Sequence, residues 1–84
     1  MKPIRLSKHA QEQCRERGTN EAEVRQAIEQ GSHEPAKKNR LLYRLNLPYN
    51  AEWCGSFYAI KQVAPVVVEE DKEQIVVTVY TFYF

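Results

Sequence analysis

Arg40-Leu41-Leu42-Tyr43-Arg44-Leu45-Asn46-Leu47 is where the sequence changes its period, and the fold class follows from that change. Leu41, Tyr43, Leu45 and Leu47 alternate with Arg40, Leu42, Arg44 and Asn46, the two-residue repeat of a strand with one buried face. Strand signals continue downstream. Pro48-Tyr49-Asn50 reads as a turn, and Trp53 to Val63 as a second strand bent at Gly55. Pro65 has no N–H to give a ladder and marks a bulge or break. Glu69-Glu70-Asp71-Lys72 reads as a charged hairpin, and Gln74 to Tyr83 as the strongest strand of the chain. A short extra strand fits at His33 to Ala36.

Upstream of Arg40 the period is helical. Ser7 is placed to cap a helix that Gly18 ends, with Leu6, Ala10 and Cys14 as a narrow apolar stripe. Asn20, followed three residues later by Glu23, has the form of a capping box. Gly31 closes this second helix, whose buried face is Val24, Ala27 and Ile28. Helices of this length are not stable alone and need a sheet to pack against. The expectation is a single α+β domain over residues 1–84. Two N-terminal helices pack on one face of a three- to four-stranded antiparallel sheet.

Length and composition agree with that class. The chain has 84 residues, 43% hydrophobic and 27% charged, which suits one small globular domain and excludes a disordered tail. No run of eighteen apolar residues offers a membrane span, and Met1-Lys2-Pro3-Ile4-Arg5 lacks the apolar core of a secretory signal. A cytoplasmic domain without membrane contact is expected. Net charge is only +1, well short of a typical nucleic-acid clamp. It is unevenly spread: residues 1–44 hold ten basic and six acidic side chains, net +4, and residues 45–84 hold two and five, net −3. Cys14 and Cys54 read as free thiols, Cys14 on the apolar stripe. His9 and Cys14 lack ligand spacing and His33 has no close partner, so neither a metal nor another cofactor is expected. There is no P-loop, GxGxxG or GxSxG motif.

The segment His9-Ala10-Gln11-Glu12-Gln13-Cys14-Arg15-Glu16-Arg17-Gly18 carries the most chemistry. At about 100° per residue, His9, Gln13 and Arg17 drift by only ~40° per step and form a row beside the apolar stripe. Arg15 points to the other side. An imidazole that exchanges protons near neutrality, next to a guanidinium that grips two oxygens, is a usable pair for phosphate chemistry. The alternative is structural, with His9 bonded to a carbonyl and Arg17 capping its helix end.

This segment resembles the opening motif of a small uncharacterised bacterial domain family, H-A-x-x-R-x-x-x-R-G followed by a polar cap and E-E-V. It stands here as His9-Ala10, Gln13, Arg17-Gly18 and Asn20-Glu21-Ala22-Glu23-Val24. Members end in a V-V-T-V strand, matched by Val76-Val77-Thr78-Val79. The family is grouped with RelE-like and BrnT-like toxins. The resemblance implies a RelE-like fold and metal-independent RNA cleavage, in which the ribose 2′-hydroxyl attacks the adjacent phosphate and cations stabilise the developing charge. By position it implies His9, Arg17 and Thr78 as site residues. Gln13 departs from the motif, replacing a charge with an amide.

Further candidates come from the strands and the turn before them. Arg40 and Arg44 share one strand face, either completing a phosphate site with Arg17 or facing water. Lys37 and Lys38 extend the basic stretch and suit phosphate neutralisation. On the last strand Val76, Thr78, Tyr80, Phe82 and Phe84 are expected on one face, and Ile75, Val77, Val79, Thr81 and Tyr83 on the other. Two apolar faces mean either a central strand or a covered surface. In the enzymatic reading His9 transfers the proton, Arg17 with Arg40 or Arg44 holds the phosphate, and Thr78 or Tyr80 orients it. The rival is a non-catalytic interaction module of the same fold. The partners to consider are RNA, an antitoxin-like protein, and a second copy docked through the last strand.

Overall fold

The computed structural model describes residues 2–84. Its elements are β1 (Ile4–Leu6), α1 (Lys8–Glu16), α2 (Glu21–Gln30), β2 (Ser32–Ala36), β3 (Arg40–Trp53), β4 (Ser56–Glu69) and β5 (Gln74–Tyr83). A single 3₁₀ turn, Lys37–Asn39, joins β2 to β3. The strands form one sheet in the order β1-β5-β4-β3-β2. The class is α+β, with both helices packed against the sheet. The sheet is five-stranded and mixed, which corrects the expected three- to four-stranded antiparallel meander. The addition is β1, which pairs parallel to β5 through Ile4–Gln74 and Leu6–Val76. Leu6, assigned from the sequence to the helical stripe, is instead a buried strand residue.

Both helices begin where their caps predict. The Ser7 hydroxyl accepts the Ala10 N–H at 3.1 Å, and the Asn20 side-chain oxygen accepts the Glu23 N–H at 2.8 Å. Each such cap is worth about 1 kcal/mol. The Glu23 carboxylate does not return to Asn20; it takes the Thr19 hydroxyl at 2.9 Å and the Lys61 ammonium at 2.7 Å. Ala10 and Cys14 from α1 and Val24, Ala27 and Ile28 from α2 pack onto Tyr43, Val63, Val67, Val76 and Val79. Burial pushes the Cys14 thiol above its ordinary pKa, whereas Cys54 is exposed. Five of the core valines are fully buried, each stabilising by up to about 1.5–3 kcal/mol.

The β3–β4 hairpin is longer than its prolines suggest. Pro48-Tyr49-Asn50 makes a bulge inside β3, where the register shifts between Pro48 and Ala51 and Asn50 takes a φ of +49°. The turn lies at Cys54-Gly55, with φ of +51° and +88°. Positive φ at both central residues matches the right-handed twist of a two-residue hairpin. Pro65 does not break β4: it is fully buried opposite Val79. The ladder to β3 skips its level, pairing Leu45–Val63 and then Leu42–Val66.

A second bulge falls in β5. Val66 pairs with Thr78 but Val67 with Val76, so Val77 is an extra residue. A one-residue insertion flips the pleat. Val76 and Val79 therefore both reach the helix-side core, followed by Thr81 and Tyr83. Thr78, Tyr80 and Phe82 face the other way. The strict alternation expected from the sequence thus holds only beyond Val77.

Lys61, only 7% exposed, projects from β4 into the turn between the helices. It donates to the Gly18 carbonyl at 2.9 Å and pairs with Glu23. Gly18 itself has a φ of +75°, and a Cβ there would lie 2.5–2.8 Å from the Tyr83 hydroxyl and the Trp53 ring. Gly18→Ala should therefore destabilise by about 2–4 kcal/mol, adding left-handed strain to overpacking. Urea titration should show a lower midpoint at unchanged slope.

Candidate functional site

The His9, Gln13 and Arg17 row faces the flank of β5. β1 covers that flank only as far as Val76. Beyond it, two helix side chains take the place of a strand. The buried Gln13 side-chain oxygen accepts the Val79 N–H at 2.8 Å, and Arg17 Nη1 donates to the Val79 carbonyl at 2.8 Å. The Arg17 backbone carbonyl in turn accepts the Thr81 hydroxyl at 2.9 Å and the Tyr83 hydroxyl at 2.7 Å. The Tyr83 ring stacks on Trp53 at 4.9 Å, and burial is the main cause that pushes its phenol pKa up. Arg17-Gly18 thus clamps the end of α1 to the last strand. His9 is exposed one turn before Gln13.

The sheet face away from the helices carries most of the other candidates. An open cavity of about 260 Å³ is lined by Ala36, Lys37, Arg40, Leu42, Val66, Thr78 and Tyr80. Arg40 and Leu42 come from the start of β3, Val66 from β4, and Thr78 and Tyr80 from β5 just after its bulge. Lys37 comes from the connecting turn, where Lys38 and Asn39 hold φ of +63° and +60°. A lysine at positive φ carries about 1 kcal/mol or more of strain. Lys37, Lys38 and Arg40 make no ion pair among the described residues.

Arginines flank the aromatic part of this face. The Arg17 guanidinium lies 5.2 Å from the Tyr80 ring centre. That of Arg44 lies 5.7 Å from the ring centre of Phe82. Arg44 is further held by Glu34 at 3.0 Å and by Gln62 at 2.9 Å, and Gln62 donates to Asn46 at 2.8 Å.

The structure therefore gathers Lys37, Arg40, Thr78 and Tyr80 in one cavity. Arg17 touches its margin through Tyr80, and Arg44 stands beside it over Phe82. Lys38 sits on the adjoining turn without lining the cavity, and His9 does not line it. Phe82, on the predicted face, was not singled out as a site residue. Its signal was its two-residue spacing from Tyr80. The use of Gln13 as an edge acceptor had no signal in sequence, because a glutamine in a polar helix looks solvated. Among the described residues no group of three or more His, Cys, Asp or Glu side chains gathers as metal ligands would. A shallower depression of about 330 Å³ beside α2 is lined by Lys2, Glu69 and Gln74 among others. Its one cation is already paired, with Lys2 3.0 Å from Glu69, and Glu29 adds a further negative charge.

The sequence signature of the domain of unknown function DUF4258 matches residues 6–81. The chain belongs to this family. No curated protein and no solved structure matches it. The DUF4258 match runs from the end of β1 to Thr81 and takes in the whole α1 row, the basic turn and the cavity. No helix of the described residues is long and apolar enough to cross a membrane.

Gln13→Ala isolates the edge contact of this DUF4258 domain. It leaves the Val79 N–H without its acceptor in a buried setting, which should cost about 1–3 kcal/mol of stability. Amide exchange at Val79 should accelerate more than at Val63, whose strand keeps both its neighbours.

Proposed function

We propose that this domain acts on RNA at the open face of its sheet, as a RelE-like, toxin-type ribonuclease. The observation that carries the proposal is the cavity in which Lys37, Arg40, Thr78 and Tyr80 meet. Two cations without carboxylate partners and two hydroxyl groups, drawn from distant parts of the chain, suit a phosphodiester. Lys37 and Arg40 hold the non-bridging oxygens, Arg40 with the planar fork that fits two of them. The Thr78 and Tyr80 hydroxyls orient the group. Lys38, on the same turn, neutralises a neighbouring phosphate.

In the proposed reaction the ribose 2′-oxygen forms a bond to phosphorus and the bond to the 5′-oxygen breaks. The 2′-hydroxyl proton passes to a base, and the departing 5′-oxygen takes up a proton. His9 does not line the cavity, and a base must come within about 3 Å of the 2′-hydroxyl. The proton acceptor is therefore a group of the cavity itself, where the Tyr80 phenol stands beside the phosphate site. Arg17 borders that site through Tyr80. Because its guanidinium also holds the Val79 carbonyl, it contributes a fixed charge rather than a mobile clamp. Arg44, tied to Glu34, is a weaker phosphate ligand than Arg40 for the same reason.

A second reading keeps the fold without the chemistry. Tyr80, Phe82 and Phe84 are 41%, 44% and 56% exposed, a surface composition suited to a protein partner. An antitoxin-like protein or a second copy then covers β5.

Induced expression separates the two. Growth arrest with new cleavage ends in total RNA is the expected result for the wild-type chain. Arg40→Ala and Tyr80→Phe, checked for folding by circular dichroism, should reduce cleavage by about a hundredfold or more, whereas His9→Ala, outside the cavity, should leave it nearly unchanged. Unchanged growth and intact RNA at good soluble yield would overturn the ribonuclease proposal. Sedimentation of the same protein as a dimer, lost on Phe82→Ser, would then favour the interaction module.

A further inference from the structure

Tyr80 and Phe82 stand two residues apart on the open face, 41% and 44% exposed. Their ring centres are 6.3 Å apart and their planes lie within 25° of each other. Neither ring fills the core, since both project from the sheet face opposite the helices. Contiguous exposed apolar patches mark interaction sites, and these two neighbouring rings form one aromatic shelf rather than a scattered pair. Each is already attended by a guanidinium, Arg17 at Tyr80 and Arg44 at Phe82. Both guanidiniums are fixed by hydrogen bonds, to the Val79 carbonyl and to Glu34 and Gln62. The shelf is therefore assembled before any ligand arrives.

We infer that Tyr80 and Phe82 are a stacking platform for two successive unpaired bases, so that the open face takes single-stranded nucleic acid. The inference rests on the proposal that this face binds RNA, but not on cleavage. Its chemistry follows from what surrounds the rings. Every base has a π-face, and a base stacked on an aromatic ring contributes about 1–3 kcal/mol without regard to sequence. Lys37 and Arg40, without ion-pair partners, border Tyr80 in the cavity and supply the backbone contacts beside it. A duplex cannot use such a shelf, because its bases stack on one another and present only their edges. An acidic peptide would satisfy the cations but leave the paired rings without planar partners.

The test uses fluorescence anisotropy with labelled ten-residue oligonucleotides at low salt. The probes are an unpaired RNA, the DNA of the same sequence, and the duplex made from that DNA and its complement. The DNA lacks the 2′-hydroxyl, so binding is read independently of cleavage. Both single strands should bind, and the duplex about tenfold more weakly. Phe82→Ala should weaken single-strand binding about tenfold, the loss of one base stack. Phe82→Trp should preserve it. Phe82→Leu retains apolar bulk without a ring and should resemble the alanine variant, which guards against a folding defect. Phe57→Ala removes an exposed aromatic beyond the end of β5 and should change nothing. Equal affinity for the duplex, unchanged affinity in Phe82→Ala and Phe82→Leu, or no binding at all would overturn the platform. Phe82-dependent binding without growth arrest or RNA cleavage would sustain the platform and overturn the ribonuclease. Cleavage that survives unchanged affinity in both Phe82 variants would do the reverse.

Discussion

The edge of β5 beyond Val76 is the constraint on which the arrangement of this domain turns. β1 has three residues and ends there, yet β5 continues to Tyr83. An uncovered edge offers unpaired N–H and carbonyl groups to any passing strand. Gln13 and Arg17 occupy that position, one accepting from and one donating to Val79. Each hydrogen bond contributes only about 1 kcal/mol net. Their larger effect is geometric, because they fix α1 alongside the strand and set its rotation. With that rotation set, the Arg17 carbonyl meets Thr81 and Tyr83, and Gly18 passes under Trp53 where no side chain fits. Lys61 then reaches the Gly18 carbonyl and Glu23, tying the interhelical turn to the sheet.

The bulge at Val77 has the opposite reach, outward to the site. Without the extra residue, a strand with Val76 in the core would carry Thr78 and Tyr80 into the core as well. The insertion instead places Val79 inward and sends Thr78, Tyr80 and Phe82 to the face that Arg40 and Arg44 occupy. The same inserted residue that puts Val79 beside Gln13 thus assembles the cavity. A valine-rich strand tolerates this because β-branched side chains fit either face of a pleat.

Much of this was legible in the sequence. Both helices, their caps, their core residues, β2, the charged hairpin and the extent of β5 follow from local patterns, since caps and periodicity are written in neighbouring residues. What failed was long-range. β1 is too short to show a period, and its strand character comes only from pairing with β5. The prolines at 48 and 65 read as interruptions, because their acceptance depends on which neighbouring strand lacks a bond at that level. The bulge left no composition signal, so the inward and outward sets of β5 were mixed at Val76. For the site, sequence parity united Arg40 with Arg44 and Thr78 with Tyr80. Only the strand order could bring the two pairs together, and only the tertiary contact could reveal that Arg17 is held by Val79.

Net charge was the least informative number, and the ion pairs explain why. Among the described residues five of the eleven acidic side chains are in ion pairs, four of them with cations that do not line the cavity: Glu69 with Lys2, Glu73 with Arg5, Glu21 with Arg25 and Glu23 with Lys61. The Arg5 guanidinium holds the Glu73 carboxyl below its usual pKa, and Lys2 does the same for Glu69. Glu34, bonded to Arg44, is the exception that borders the open face. A chain of net +1 still leaves Lys37, Lys38 and Arg40 without an ion pair among the described residues. At physiological salt, charges separated by more than about 8 Å are screened, so a ligand at the cavity responds to these three rather than to the distant carboxylates. Three phosphate contacts on a single strand give a salt dependence of only about two logarithmic units per decade. On the proposed reading such a face would hold a single strand only weakly by charge. Binding that persisted as salt is raised would point to the rings of Tyr80 and Phe82, because stacking displaces no counterions.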